Sequence, residues 1–181
     1  MNTVRDVCKY IGKVIVDLPT CVETGCTYVL ARSEDIIHTT TNNIIDYICR
    51  PKEGYLYSLD VEPIHINFAS NLVGANAPVE FVLGDSVQSL KELHTQLSID
   101  GIDVLCLDSK EFDEYHMVNE FLAVQNCLNE KHFILVDDIH NPNSVKYKKM
   151  TPILKELGYG WMEVSTPTGL FLASKGYSLP K

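Results

Sequence analysis

The sequence predicts an α/β protein built on an open, doubly wound, mostly parallel sheet. Three observations predict it. Short β-rich runs alternate with longer segments of helical periodicity through most of the 181 residues. Two of the runs, Ile102-Asp103-Val104-Leu105-Cys106-Leu107-Asp108 and His132-Phe133-Ile134-Leu135-Val136-Asp137, are nearly continuously apolar, the pattern of strands covered on both faces. The end of the chain breaks the alternation and reads as an antiparallel pair.

In chain order, residues 4–16 form a helix leading into the sheet. The short apolar run Thr20-Cys21-Val22-Glu23 is stopped by Gly25. A helix follows over 41–49, with Ile44, Ile45 and Ile48 at helical spacing. Tyr55-Leu56-Tyr57-Ser58-Leu59-Asp60 is a strand entered through Gly54 and ended by Pro63, and Val79-Glu80-Phe81-Val82-Leu83 is another between Pro78 and Gly84. Segments 61–73, 86–97, 114–128 and 144–157 carry helical periodicity, with Val118, Phe121 and Leu122 on one stripe. Trp161-Met162-Glu163-Val164 and Leu170-Phe171-Leu172-Ala173-Ser174 flank Ser165-Thr166-Pro167-Thr168-Gly169, a hairpin loop composition. Five βα units are therefore followed by an antiparallel pair, with right-handed crossovers.

Length allows one domain, 1–181, with 1–19 as N-terminal helix and lead-in. Hydrophobic residues make up 45% and charged residues 22%, as in soluble globular proteins. No apolar stretch reaches the roughly 18 residues that span a bilayer. Met1-Asn2-Thr3-Val4-Arg5-Asp6 lacks the features of a secretion signal, so a cytoplasmic setting without membrane attachment is expected. The six cysteines, Cys8, Cys21, Cys26, Cys49, Cys106 and Cys127, stand singly, which argues against a zinc site or disulfide framework. A net charge of −9 argues against nucleic acid as a partner. Lys146-Tyr147-Lys148-Lys149 reads as a solvated helix face, the alternative being a local basic patch that touches an anionic substrate.

Ligands of open parallel sheets bind beyond the carboxyl ends of the strands. Those ends are acidic: Glu23, Asp60, Asp85, Asp108, Asp137 and Asp138. In the turn Val22-Glu23-Thr24-Gly25-Cys26 a glycine lets the backbone approach a ligand, although the turn is not the dinucleotide GxGxxG. His38-Thr39-Thr40-Thr41 caps the next helix or binds a carboxylate. Asp60 can accept from two ribose hydroxyls, or cap the helix beginning near Glu62. Asp85 and Ser86 can bracket an adenine edge, or serve as an N-cap. With the fourth and fifth strands adjacent, their ends would lie about 4.8 Å apart. Asp108, Asp137 and Asp138 would then repel one another unless a cation neutralised them, and an all-oxygen set suits Mg²⁺, Ca²⁺ or Mn²⁺; the alternative is that one of them caps a helix and the others face solvent.

The order Val-Glu-Thr-Gly-Cys, Tyr-Ser-Leu-Asp-Val-Glu-Pro, Gly-Asp-Ser, Leu-Cys-Leu-Asp-Ser, Val-Asp-Asp resembles class I S-adenosylmethionine-dependent methyltransferases. It is most similar to small metal-dependent O-methyltransferases of the catechol and macrolide- or cephalosporin-tailoring type, over about 21–174. The resemblance implies a Rossmann-like seven-stranded sheet of order 3-2-1-4-5-7-6 and O-methylation of a small-molecule hydroxyl. It implies cofactor contacts by Glu23, Thr24, Gly25, Asp60, Asp85, Ser86 and Asp108, and metal ligation by Asp108, Asp137 and Asp138. Lys110, near the family's catalytic lysine, and His140 are the two candidate bases. Tyr28, His38, Tyr115, His116 and Tyr147 are candidate pocket residues, and a homodimer is compatible with the chain. The thin glycine turn keeps open a non-catalytic binding or assembly module with a degraded pocket, which the acids at five strand ends oppose. A nucleotide-sugar or NAD enzyme is weakened by the missing pyrophosphate loop.

Overall fold

A computed structural model describes residues 1–26, 40–96, 101–110 and 112–180. Helix α1 (Val4–Val14) starts at Thr3, whose hydroxyl accepts from the Asp6 amide at 3.1 Å, a capping contact that satisfies one of the helix's first amides. Strand β1 (Thr20–Thr24) is followed by α2 (Thr40–Ile44), which widens into an i→i+5 turn over Ile45–Cys49 and a tight turn over Arg50–Lys52. Next come β2 (Tyr55–Asp60), α3 (Pro63–Val73), β3 (Val79–Leu83) and α4 (Ser86–Gln96). Then follow β4 (Ile102–Leu107), α5 (His116–Val124) and β5 (Leu128–Asp137). The chain continues through α6 (Met150–Glu156), β6 (Gly160–Val164) and β7 (Leu170–Lys175).

The seven strands form one sheet of order β3-β2-β1-β4-β5-β7-β6, as the resemblance implies. The first five pair in parallel, and β7 lies antiparallel between β5 and β6. Period-two alternation splits the core into two layers. Leu105 and Leu107 of β4 pack with Leu90, Met117, Phe121 and Leu154 from α4, α5 and α6. Val104 and Cys106 of the same strand pack with Val7, Ile11, Ile44 and Ile48 from the α1 and α2 side. On that side a Cβ on Gly12 would lie 1.9 Å from the Tyr47 carbonyl oxygen, so only glycine lets α1 cross so close. All six cysteines are buried and free, as small hydrophobes would be. Among the described residues no helix is long and apolar enough to cross a membrane.

The larger departures from the expected bounds lie in two regions. Residues 125–127 leave α5 as a tight turn, and β5 begins at Leu128 rather than His132. Residues 144 and 145 are irregular, 146–149 are turns, and α6 begins only at Met150. Lys146, expected on a solvated helix face, lies within these turns and has no exposed side-chain surface.

Candidate functional site at the carboxyl edge of the sheet

Strand order reverses between β1 and β4, and the chain leaves these neighbours in opposite directions. That opens a crevice at their carboxyl ends. The turn after β1 closes tightly over β4. Gly25 has φ +79, and a Cβ there would lie 2.5 Å from the Asp108 carbonyl oxygen. Its amide donates to the Leu59 carbonyl at 2.8 Å, tying the turn to β2 as well.

Glu23 is fully buried beneath this turn. Its Oε2 accepts from the Thr41 and Ser58 hydroxyls, both at 2.8 Å. Thr41 thus binds a carboxylate, one of the two roles open for it in the sequence. Among the described residues Glu23 Oε1 has no hydrogen-bond partner. Burial pushes its carboxyl up to about 7, the two hydroxyls oppose this, and Asp60 and Asp137 add to it.

Asp60 ends β2 and ties the neighbouring loops together. Its Oδ1 accepts from the Glu62 amide at 2.8 Å, just ahead of α3, whose N-cap is Glu62 itself, and its Oδ2 accepts from the Cys26 amide at 3.1 Å. His65 Nδ1 lies 3.2 Å from both oxygens. Asp85 is exposed and accepts from the Gln88 amide at 3.1 Å, so it caps α4.

Ser86 turns inward instead, to a buried network that local patterns did not reveal. Its hydroxyl donates to Glu120 Oε1, and His116 Nε2 is 3.0 Å from Ser86 Oγ and 3.3 Å from Glu120 Oε1. Ser109 donates to Glu120 Oε1 at 2.5 Å, and Thr24 to Glu120 Oε2 at 3.2 Å. Glu120 is fully buried, so one carboxylate gathers the ends of β1 and β4 and the start of α4. A signal was present: Glu120 falls on the buried stripe Met117, Phe121, Val124, four residues after His116.

The three aspartates beyond β4 and β5 are brought to adjacent strand ends, but not as a metal centre. Lys146 Nζ lies 2.6 Å from Asp108 Oδ1 and 3.0 Å from Asp138 Oδ2. Asp137 Oδ1 accepts from the Asp138 amide at 2.8 Å, in a turn where Asp138 has φ 62. The expected Asp108, Asp137, Asp138 ligand set therefore does not fit a divalent ion, because an ammonium lies among its oxygens. Among the described residues no group of three or more His, Cys, Asp or Glu could hold one. Burial and Asp137 push the Asp108 carboxyl up while Lys146 pulls it down.

Neither candidate base joins these acids. Lys110 is exposed, with φ 39. His140 is exposed, with Nε2 3.5 Å from Glu163 Oε2 on β6. Tyr115 is exposed beneath Lys149, whose Nζ is 5.5 Å from the ring centroid, and Tyr147 packs partly buried against the core. Tyr28, His38 and Thr39 lie outside the described residues.

By sequence, no family model matches this chain. No curated relative matches it either. Its fold has solved counterparts. A methyltransferase from Geobacter sulfurreducens is similar with a TM-score of 0.68 and 11% identity, over 94% of this chain and 77% of that one. The MycE methyltransferase of the mycinamycin pathway, solved with Mg, SAH and mycinamycin VI, gives 0.62 and 11%, over 97% of this chain and 51% of that one. A spermidine synthase solved with the transition-state analogue AdoDATO gives 0.63 and 12%, over 96% and 61%. Likeness at this identity establishes the fold, the Rossmann-like seven-stranded sheet of class I methyltransferases.

Proposed function

We propose that this chain is an S-adenosylmethionine-dependent methyltransferase acting on a hydroxyl of a small molecule. One observation carries the reading: at the β1/β4 reversal, a glycine turn pressed against the end of β4 is flanked by the strand-end carboxylates Glu23 and Asp60. Open α/β sheets bind their ligands at this place. The residues fit the cofactor. Glu23 leaves one buried carboxylate oxygen without a partner among the described residues, and Gly25 keeps the backbone bare beside it. In this reading Glu23, Thr24 and Gly25 hold the methionine end, Asp60 the ribose, and the Asp85 side chain with the Ser86 backbone amide the adenine, the Ser86 hydroxyl being engaged with Glu120. Bound there, S-adenosylmethionine supplies an electrophilic methyl group on a sulfonium.

The protein's own part is positional. Acids at the cleft favour a positively charged sulfonium, and the rigid turn orients it toward the acceptor oxygen. The acceptor's proton passes to water, or to Lys110, two residues beyond Asp108, when that side chain is in its neutral amine form. His140, engaged with Glu163, has no part in this reading. The small acceptor is supported by the net charge of −9, which disfavours a polyanionic substrate.

Calorimetry with S-adenosylmethionine and S-adenosylhomocysteine tests the cofactor. We expect saturable binding of both, weakened about tenfold or more by Asp60→Ala through the loss of charge-assisted hydrogen bonds. Absence of binding at millimolar ligand would sink the proposal. Transfer of labelled methyl to a panel of phenols, sugars and polyketides then tests the acceptor class.

A further inference from the structure

Lysine is rarely buried, because its ammonium is strongly hydrated and must find carboxylates when water is removed. Lys146 is fully buried, and its partners include Asp108 Oδ1 at 2.6 Å and Asp138 Oδ2 at 3.0 Å. The carboxylates belong to different crossovers. Asp108 follows β4, Asp138 follows β5, and these strands are hydrogen-bonded neighbours. Converging carboxylates need a cation between them. Here the chain supplies it from 38 residues beyond Asp108.

The surroundings are shaped to this contact. Asp138 adopts φ 62, a left-handed conformation that a non-glycine residue enters at a cost and that aspartate tolerates better than most. Its amide is held by Asp137 Oδ1 at 2.8 Å, which gives that carboxylate a backbone to bind. Residues 146–149 run as turns in place of the helix their periodicity suggests, and the lysine reaches inward from them. Asp108 is not sealed off: its side chain is 26% exposed, and its carbonyl oxygen abuts Gly25. A divalent ion sharing the oxygens that Lys146 binds would stand at contact distance from an ammonium, and the two cations would repel strongly.

We propose that Lys146 is the resident cation of this carboxylate cluster: it takes the place a divalent metal would take, closes the cluster to Mg²⁺, and holds Asp108 at the mouth of the crevice. Lys146 acts through Asp108 and Asp138 and is a positioning residue. Exclusion of metal is a property that mere packing of a lysine stem would not confer.

Mn²⁺ alone is the probe, read by the paramagnetic resonance of the free ion during titration of the whole chain. The wild-type protein should bind no Mn²⁺ up to millimolar concentration, and its unfolding temperature should not respond to Mn²⁺ or to chelator. Lys146→Ala should bind Mn²⁺ at least about tenfold more tightly than wild type, since affinity follows the uncompensated ligand charge. Adding Asp138→Asn should remove the gain, and Lys146→Arg should stay closed to the metal. One Mn²⁺ per wild-type chain, lost in Asp138→Asn, would overturn the proposal. So would a folded Lys146→Ala that gains no affinity. Should Lys146→Ala fail to fold, the wild-type titration decides by itself. No S-adenosylmethionine enters the measurement, so its outcome stands apart from that of the cofactor proposal.

Discussion

Glu23→Gln removes a carboxyl that the fold holds largely against ionisation, and the effect on stability has a sign and a size. Burial raises the native carboxyl from 4.5 to about 7. That gap corresponds to roughly 3 kcal/mol of preference for the protonated form in the folded state. The group's contribution is therefore fully present below its unfolded value and is lost as pH rises through the folded one. Between about pH 5 and about pH 8 the wild-type protein should lose roughly 3 kcal/mol that the Gln variant, which cannot ionise, retains. The amide has its own cost, because its second polar atom inherits the position of Oε1, which lacks a partner among the described residues. That cost offsets the curves vertically without changing their pH slope. Urea unfolding of both proteins across this pH range gives the slope directly. Trp161, the single tryptophan, lies on β6 stacked over Phe171 and reports on the sheet. All other titrating groups are common to both proteins and cancel in the difference. A difference in unfolding free energy that stays constant over this range would refute the reasoning, since Glu23 would then carry one protonation state throughout.

The remaining predictions concern named contacts. Glu120→Ala should destabilise the fold by about 3 kcal/mol in urea, because it leaves the Ser86, Ser109 and Thr24 hydroxyls and His116 without their buried acceptor. A loss below about 0.5 kcal/mol would mean the network is wet rather than buried. Gly25→Ala should cost about 2 kcal/mol or more, as the new methyl meets the Asp108 carbonyl and φ +79 strains an L residue. It should weaken S-adenosylmethionine binding in parallel, and unchanged calorimetry would disconnect the turn from the cofactor. His140→Ala should shift the unfolding midpoint by less than about 0.5 kcal/mol, because its pairing with Glu163 is exposed. Its methyl-transfer rate should match wild type, and a large fall in rate would return His140 to the site.

The strands and their acidic ends were legible in the sequence for local reasons. Both β2 and β3 have the expected bounds because Gly54 and Pro63, and Pro78 and Gly84, punctuate them. In the α6 region a helical period continues back through Lys146, four and eight residues before the buried Met150 and Leu154, although the helix itself starts only at Met150. Periodicity places such a residue on a face; it does not say whether a charge there finds a partner. Glu120 was legible in principle as an acid on an apolar stripe, but its hydroxyl partners were not.

Element order, two-layer packing and a row of carboxylates at one edge follow from the sequence alone, because backbone period, turn residues and apolar patterning are short-range properties. The tertiary structure decided what each carboxylate meets. Thr41 is 18 residues from Glu23, Lys146 is 38 from Asp108, and Glu120 is 96 from Thr24. In a low-dielectric interior a charge is tolerated only where a partner lies within a few ångströms, and that distance is set by how the crossovers pack. A cation among Asp108, Asp137 and Asp138 is one of the arrangements the sequence allows; only the fold shows that an ammonium of the chain itself lies between Asp108 and Asp138.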